Sequence, residues 1–599
     1  MLQLSKDQQQ KFAKLGIDSL CELALLIPSS YEDYRLHSTM QTHSKQLIDA
    51  TVTAVERRPN SLQITFYAHN FGHTIQGVIF KPKPYMMHQF ALESRNYYYG
   101  LLECNNGLCS MKMPKKVTAA GGITPKYKCA LRSDVMERLV QALLTPQNLK
   151  EEGLKESVIA PLLQLHFPTQ ATLQTPQPSQ EALYALKYTE LFDYMKKLAK
   201  KRRYFATLVS KESDATPFMA SLPFQLTQEQ QQAIEDVAKD FAKDFAAKRM
   251  IVGDVGSGKT MVILAAAFMM MPHRSILMAP TTILAKQLFE EAEKFLPHMK
   301  TTLVTNRSKK EPLEGYDFII GTHALLYRDL PQAALVMVDE QHRFGTKQRT
   351  MLEKLITQNE KRPHYLQFSA TPIPRTLAMI ESAHIDVSLI TTTPFVKDIE
   401  SRVIHKEDFA QLLVHIDHEI RNNRQVLLVY PLVEQSEQLN YQSIDEARGY
   451  WEKKFANVYV THGKDKEKEQ VLLEFREKGS ILIATTVVEV GISLPRLSTV
   501  VIVGAERLGL STLHQLRGRV SRTGLKGYCF CYTNQQKSPR LEKFVTTQSG
   551  FDIANLDLKY RKSGDLLKGV NQSGTALKWV DFATDSAIVQ EVKRDCALI

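Results

Sequence analysis

From about Leu222 onward one pattern recurs: a short apolar run, a turn, then a longer stretch with apolar residues three and four apart. Ser275–Ala279, Phe318–Gly321, Leu335–Val338 and Leu366–Phe368 are such runs. The pattern restarts beyond Pro394 with Val426–Tyr430, Val458–Val460, Ile481–Ala484, Val500–Val503 and Tyr528–Tyr532. Short apolar strands between amphipathic helices predict parallel sheets covered on both faces, and the restart predicts two of them. The front of the chain reads differently. Gln10–Ile27 predicts two short helices closed by Pro28. Asp49–Val55, Ser61–Tyr67, Thr74–Phe80 and Asn96–Leu102 alternate apolar with polar residues and are separated by Asn, Gly and Pro. That spacing predicts a small β-barrel within about residues 45–120. Helical periodicity returns over Ser133–Leu144 and Gln180–Phe205.

Length and composition add bounds. The 599 residues exceed what one hydrophobic core holds, so three or four domains are expected. An apolar fraction of 43% excludes wholesale disorder. A net charge of +12 suits a polyanionic partner, although a solvated lysine-rich surface has the same charge. The run Lys197, Lys200, Lys201, Arg202 and Arg203 has the same two readings, a solvated helix end or a DNA contact. The seven cysteines lack C-x-x-C pairs, which argues against a zinc site, and their odd count argues against a disulfide framework, so buried structural thiols in a reducing compartment are expected. The N-terminus has no signal-peptide pattern. The longest apolar run, Met261–Met271, ends at Pro272 and is too short to span a bilayer, so no membrane association is expected.

Two segments carry chemistry. Gly253-Asp254-Val255-Gly256-Ser257-Gly258-Lys259-Thr260 fits G-x-x-x-x-G-K-[ST]. Glycines at 253, 256 and 258 let backbone amides wrap phosphates, Lys259 reaches the β- and γ-phosphates, and Thr260 ligates Mg2+. A short strand precedes this segment and a helix follows, so the helix N-terminus faces the phosphates. The second segment is Val336-Met337-Val338-Asp339-Glu340, a buried strand delivering two carboxylates at its C-terminal end. Alone it is commonplace. Beside a P-loop it places Asp339 on Mg2+ and Glu340 on the attacking water.

Asp339-Glu340-Gln341-His342 resembles the DExH box of superfamily 2 helicases, and further segments resemble that superfamily's motifs in order. Phe224, Leu226, Thr227 and Gln230 resemble the Q motif that reads adenine. Ala279-Pro280-Thr281 and Gly321-Thr322-His323 resemble first-lobe motifs on the nucleic-acid backbone. Ser369-Ala370-Thr371 resembles the motif coupling hydrolysis to lobe movement. Thr485-Thr486 to Glu489-Val490-Gly491 resembles the second lobe's nucleotide and strand motif. Gln515–Arg522 resembles the motif whose arginines reach the γ-phosphate. Arg519 and Arg522 both serve there, or one of them is structural. The match narrows with Asp339–Gly345 and Phe368–Thr376, and with a tail of Gly550–Ala554, Arg561, Gly564 and Gln572-Ser573-Gly574. These are similar to the RecG family of branch-migration helicases and to the translocation motif that RecG shares with Mfd. Leu15–Ile17, Leu26–Pro28 and Tyr31–Arg35 resemble the entry of the RecG wedge domain. The chain departs from the family pattern at Ser521, where relatives often carry glycine, and at Arg561–Gly564.

The resemblance implies an α/β architecture of two RecA-like lobes, preceded by an OB-fold wedge and followed by a small helical-hairpin tail. It implies a wedge domain over 1–215, an ATP-binding lobe over 216–395, a second lobe over 396–540 and a tail over 541–599. It implies an ATP- and Mg2+-dependent DNA helicase, a cytoplasmic bacterial monomer that reverses stalled forks and migrates Holliday junctions. Glu340, Lys259, Arg519 and Arg522 would be catalytic. Gly253, Gly256, Gly258, Thr260, Gln230 and Asp339 would hold nucleotide and metal. Thr281, Thr322, His323, Thr485, Arg561 and Gln572 would touch DNA, and Ser369 and Thr371 would couple. In the barrel, Phe80, Tyr85 and Tyr97–Tyr99 could stack on bases, or form its core and shell. Lys81, Lys83, Lys112, Lys115 and Lys116 could follow phosphates or be solvated. The competing readings are a PriA-like or Mfd-like translocase, a non-catalytic junction binder and an RNA helicase. Missing zinc cysteines, limited length, the intact motor residues and the RecG-like ends disfavour them in turn.

Overall fold

The computed structural model describes residues 4–105, 108–170, 177–308, 311–357, 360–371, 374–395, 397–431, 441–463, 465, 467–486, 494–521, 524–560, 577–582 and 584–596. These form two compact units, one of residues 1–194, 577–580 and 594–599, the other of 195–576 and 581–593. The division falls inside the helix Gln180–Lys200, ahead of the boundary expected at residue 215. The reason is local: Ala206 and Thr207 already bridge to Phe245 and Arg362 of the second unit.

The first unit is built around a closed barrel. Strand β1 (Ser30–Asp33) pairs antiparallel with β7 (Ile123–Lys126). Between them lie β2 (Ser44–Arg58), β3 (Ser61–Ala68), β4 (His73–Phe80), β5 (Arg95–Asn105) and β6 (Leu108–Val117). They close in the order β2-β3-β4-β6-β5, and only β4 and β6 run parallel. This five-stranded arrangement fits an OB-fold. Alternation decides what lies inside: Ile48, Ala50, Val52, Ile64, Phe66, Ile75, Ile79 and Leu102 are buried together. Of the tyrosine run, Tyr98 is core, 4.7 Å from the Phe66 ring, and Tyr99 packs on Tyr34 at 4.6 Å. Tyr97 is half-buried and Phe80 is exposed, so these two face outward. The Tyr85 side chain lies outside the described residues. Lys112 pairs with Glu103 at 2.6 Å. Cys104 and Cys109 join β5 to β6 as a disulfide, against the expectation of no disulfide framework, whereas Cys21, Cys529 and Cys531 are buried thiols outside that bridge.

Helices Ser133–Leu143, Pro146–Glu151 and Glu156–His166 complete this unit together with the start of Gln180–Lys200. The Glu190 carboxylate accepts hydrogen bonds from the backbone amides of Lys578, Trp579 and Val580 at 2.5–3.0 Å. Residues 578–580, silent in sequence, thereby belong to the first unit.

The second unit holds two wholly parallel sheets. The first comprises β8 (Lys248–Gly253), β9 (Ser275–Met278), β10 (Thr301–Val304), β11 (Phe318–Gly321), β12 (Leu335–Asp339), β13 (His364–Ser369) and β14 (Asp386–Ile390). Its order is β10-β11-β9-β12-β13-β8-β14. The second comprises β15 (Ile399–Ile404), β16 (Gln425–Val429), β17 (Val458–Thr461), β18 (Ile481–Ala484), β19 (Leu497–Val503) and β20 (Gly527–Tyr532), in the order β15-β20-β19-β16-β18-β17. These are the two parallel sheets that the β-α alternation predicts and the two RecA-like lobes that the resemblance implies. The apolar run at Met261 is the helix Lys259–Met270, buried on nearly every side between helices and sheet. Among the described residues no helix is long and apolar enough to cross a membrane.

His166 ties the first unit's layers together. Its Nε2–H donates to the Ala24 carbonyl at 2.8 Å, and its Nδ1 accepts from the Tyr127 hydroxyl at 2.9 Å. Burial lowers its pKa from 6.5 to about 4. The neutral ring is therefore the native form, and its contribution is complete above pH 6.5 and declines as pH falls toward 4. The whole loss amounts to about 3 kcal/mol. Hydrogen exchange of helix Glu156–His166 in the full chain, corrected for intrinsic rates, is expected to lose protection between pH 7 and pH 5. His166→Gln is expected to flatten that dependence.

Candidate functional site

Strand β8 is buried by neighbours on both sides, so the chain leaving it at Gly253 must turn sharply to enter the helix Lys259–Met270. The turn uses left-handed backbone at Gly256 (φ 79°) and Gly258 (φ 75°), which side-chain-bearing residues adopt at a cost. A Cβ at Gly258 would also strike the Gln230 amide. The Lys259 ammonium donates to the carbonyls of Gly253 (2.9 Å) and Asp254 (3.0 Å). Gln230 is buried and braces the loop: Nε2 donates to the Ser257 carbonyl at 2.8 Å, and Oε1 accepts from the Thr227 amide at 2.8 Å. The amide expected to read adenine thus spends one donor and one acceptor within the protein.

Two strands away, β12 ends at Asp339. Both Asp339 and Glu340 are 8% exposed. Burial, and then the neighbouring Glu340 charge, pushes the Asp339 carboxyl well above the usual carboxylate range, against the pull of Lys259. Its Oδ1 has no hydrogen-bond donor among the described residues. Glu340 adopts φ 50°, an unfavourable conformation for a residue with a side chain. Its Oε1 accepts from the Ala370 amide at 2.6 Å, while Oε2 finds no such donor and lies 3.4 Å from His342 Nδ1. A buried carboxylate oxygen left open in this way is suited to accept a proton from water. Thr260 and Asp339 line one cavity, and their hydroxyl and open carboxylate oxygen form a hard-oxygen donor set of the kind Mg2+ takes.

Arg519, 6% exposed, and Gln515 come from the second lobe and line the same cavity of about 870 Å3 as Lys259, Asp339 and Glu340. Gln515 bridges the lobes. Its Nε2 donates to the Thr371 hydroxyl at 2.8 Å, and its Oε1 accepts from Arg343 at 2.8 Å. Ser369 Oγ accepts from the Thr371 amide at 3.2 Å, which holds that turn.

A second bridge was not anticipated from the sequence. The Asp254 carboxylate takes hydrogen bonds from His514 (2.6 Å), the Gly550 amide (2.9 Å) and the Val255 amide (2.6 Å). Burial alone would raise its pKa, yet His514, Lys397 and the Gly550 amide hold it far below the carboxylate range. Arg517 extends the contact to the carbonyls of Phe544 and Gln548, each at 3.1 Å. The Lys397 ammonium donates to the Val255 carbonyl. The one signal for these residues was adjacency, because Asp254 sits inside the P-loop and His514 precedes Gln515.

The expected strand-contacting residues share one placement. Thr281 follows β9, Thr322 and His323 follow β11, and Thr485 follows β18, all at carboxyl ends of parallel strands. Thr281 and Thr322 hydroxyls cap the turns after them, accepting from Leu284 and Ala324 amides at 3.3 Å each. Thr322 is 2% exposed, which leaves Thr281, His323 and Thr485 as the accessible side chains. Arg522, Arg561 and Gln572 lie outside the described residues, as do residues 487–493. Ser521 has φ 62°, a region glycine enters freely, which accounts for the glycine that relatives often carry.

Residues 227–380 match the DEAD/DEAH box helicase family, and residues 406–524 match the helicase conserved C-terminal domain. The chain is 45% identical to the ATP-dependent DNA helicase RecG of Helicobacter pylori strain J99, over 97% of this chain and 96% of that protein. It is 32% identical to RecG of Streptococcus pneumoniae, over 98% and 93% respectively. A solved structure of RecG bound to a three-way DNA junction matches with a TM-score of 0.57 at 27% identity, over 98% of this chain and 84% of that one.

A Cβ at Gly518 would lie 2.9 Å from the Val255 side chain, so the second lobe abuts the P-loop with no room to spare. Gly518→Val is expected to weaken binding of a fluorescent ATP analogue by about tenfold or more, with Gly518→Ala intermediate, read by titration.

Proposed function

This chain belongs to the RecG family of ATP-dependent DNA helicases, and from that premise we propose that it remodels branched DNA, reversing stalled forks and migrating Holliday junctions. The observation that carries the reading is the shared cavity, where Lys259, Asp339 and Glu340 of one lobe and Arg519 of the other converge. A nucleotide there is gripped by both lobes, so its hydrolysis alters what holds them together.

In this reading the P-loop amides and Lys259 bind the phosphates, and Gln230 contributes to adenine recognition through its remaining donor and acceptor capacity. Thr260 and Asp339 hold Mg2+, which supplies charge neutralisation on the phosphates. Glu340 accepts the proton of the attacking water through Oε2 while the Ala370 amide fixes Oε1. Arg519, joined by Arg522, stabilises charge on the transferred phosphoryl group. Gln515 and Thr371 report the outcome between lobes. Thr281, His323 and Thr485 contact the strand beside the buried Thr322, and Arg561 and Gln572 act from the tail. We assign the wedge to 1–215, the lobes to 216–395 and 396–540, and the tail to 541–599. The protein acts as a cytoplasmic monomer. Support for the substrate comes from the RecG structure with a three-way junction and from the OB-fold barrel in the first unit.

The test is ATP hydrolysis with equal amounts of linear duplex, single strand, RNA and a model fork, together with unwinding of that fork. Strong stimulation by the fork, lost in Lys259→Ala, is expected. Stimulation by RNA alone would overturn the DNA reading, and stimulation by linear duplex alone would remove the wedge role. Glu340→Gln is expected to lower kcat by about 100-fold or more while nucleotide binding persists. Full turnover in that variant would falsify the role given to Glu340. Gln515→Leu, which removes both lobe-bridging bonds, is expected to cut fork-stimulated kcat about tenfold with little change in basal turnover.

A further inference from the structure

A second large cavity, about 720 Å3, lies in the first lobe away from the P-loop. Its walls include Lys248 at the start of β8, Tyr365 at the start of β13 and His384–Asp386 entering β14. These are the amino ends of strands whose carboxyl ends approach the nucleotide cavity. Open α/β sheets hold their usual ligands at the carboxyl ends, so the helicase chemistry does not account for this cavity. Residues 201–205 and the helix Thr346–Thr357 form its other sides.

The lining is strongly cationic. Lys201, Arg203, Lys248, Arg349, Lys354 and Arg362 line it together with Arg202, against the carboxylates of Glu353 and Asp386. Arg202 is paired with Asp386 at 2.7 Å. Among the described residues no carboxylate lies within ion-pair distance of the other six. Their charges are felt within the pocket. Burial lowers the His384 pKa, and Lys248, Lys201 and Arg202 lower it further. Arg362 is likewise depressed by burial and then by Arg203. Convergent positive charge that outnumbers the acids beside it is stabilised by a bound anion.

Two buried donors make no well-formed hydrogen bond among the described residues, although the Gln367 side chain lies near the second. One is Arg362 Nε, whose guanidinium stacks 3.1 Å from the centre of the Phe205 ring. The other is the hydroxyl of Tyr365, a residue only 5% exposed that lines the cavity. Buried donors are almost always satisfied, so an acceptor belongs there. Tyr204 also lines the cavity and is 59% exposed, its ring edge-on to Phe245 at 4.6 Å. An exposed aromatic beside arginines and lysines suits a base carried with its phosphate, and the volume suits a ligand of nucleotide size.

We propose that this cavity is a second phosphate-ester site, separate from the P-loop, in which Arg203, Lys248, Arg349 and the Tyr365 hydroxyl hold phosphate oxygens and Tyr204 offers its ring to the base. A DNA strand and a free nucleotide share this chemistry, and only the first source rests on the function proposed above.

Lysine acetylation of the full chain, with the P-loop filled by a non-hydrolysable ATP analogue, tests it by mass spectrometry. Octathymidylate or inorganic pyrophosphate is expected to slow modification of Lys201, Lys248 and Lys354 about fivefold, with exposed Lys543 unaffected. Protection by octathymidylate alone assigns the site to a strand, and protection by pyrophosphate assigns it to a small phosphate ligand. Arg203→Glu/Arg349→Glu should abolish protection while still binding the labelled ATP analogue, which shows that it is folded. Tyr365→Phe, a milder change, should weaken protection about threefold. Equal protection by hexaglutamate, or protection by none of the probes, overturns the proposal. In either case intact fork-stimulated ATPase would leave the helicase reading standing.

Discussion

The Asp254 carboxylate sits inside the P-loop yet takes its hydrogen bonds from the far lobe's His514 and from the Gly550 amide at the head of the tail helix. A buried carboxylate is costly unless such partners surround it, and removing one partner from a buried pair typically costs about 3–5 kcal/mol. The P-loop cannot satisfy this charge alone, because its other amides must stay available for phosphate. Three elements distant in sequence are therefore held by one charge: the nucleotide loop, the second-lobe helix Leu510–Arg517 and the helix Gly550–Tyr560. Arg517, bonded to the carbonyls of Phe544 and Gln548, stiffens the segment between the last two. The nucleotide loop is thereby tied by hydrogen bonds to the head of the helix Gly550–Tyr560.

A second constraint acts on where chemistry can be placed. Both sheets are parallel, so every strand releases its chain at the same edge. The P-loop, Asp339, Glu340, Ser369, Thr281, Thr322 and Thr485 all lie just past strand ends for that reason. Gln515 then joins the first-lobe turns to the second lobe through Thr371 and Arg343. The opposite edge is free of these demands. There seven cations gather against two carboxylates, an arrangement that neither sheet packing nor ATP chemistry requires.

Much of this was legible locally. The P-loop, the strand ending in two carboxylates and the β-α alternation depend on residues adjacent in sequence. The strands that periodicity did not reveal in the lobes, β10, β14 and β15, are all sheet edges. Edge strands have fewer covered faces and carry polar residues such as Thr301, Asp386, Glu400 and Arg402, so no apolar run marks them. The barrel was legible as alternation, but alternation could not say which of Tyr97, Tyr98 and Tyr99 points inward. Register with β2 and β6 places Tyr98 in the core.

The sequence by itself determined the family and the two-lobed α/β architecture, and it singled out the candidate nucleotide-handling residues, because phosphate and water chemistry require fixed residue types at short spacings. Only the tertiary structure decided the bonds that make these parts one machine. His514 meets Asp254 across 260 residues, and Glu190 holds the returning chain near residue 578 across 388. Such pairs leave no periodic trace, since a hydrogen bond formed by chain folding depends on where two backbones cross, not on what neighbours either residue in sequence. The Cys104–Cys109 bridge and the cation-lined cavity followed the same rule, the first from strand pairing and the second from the meeting of six separate segments.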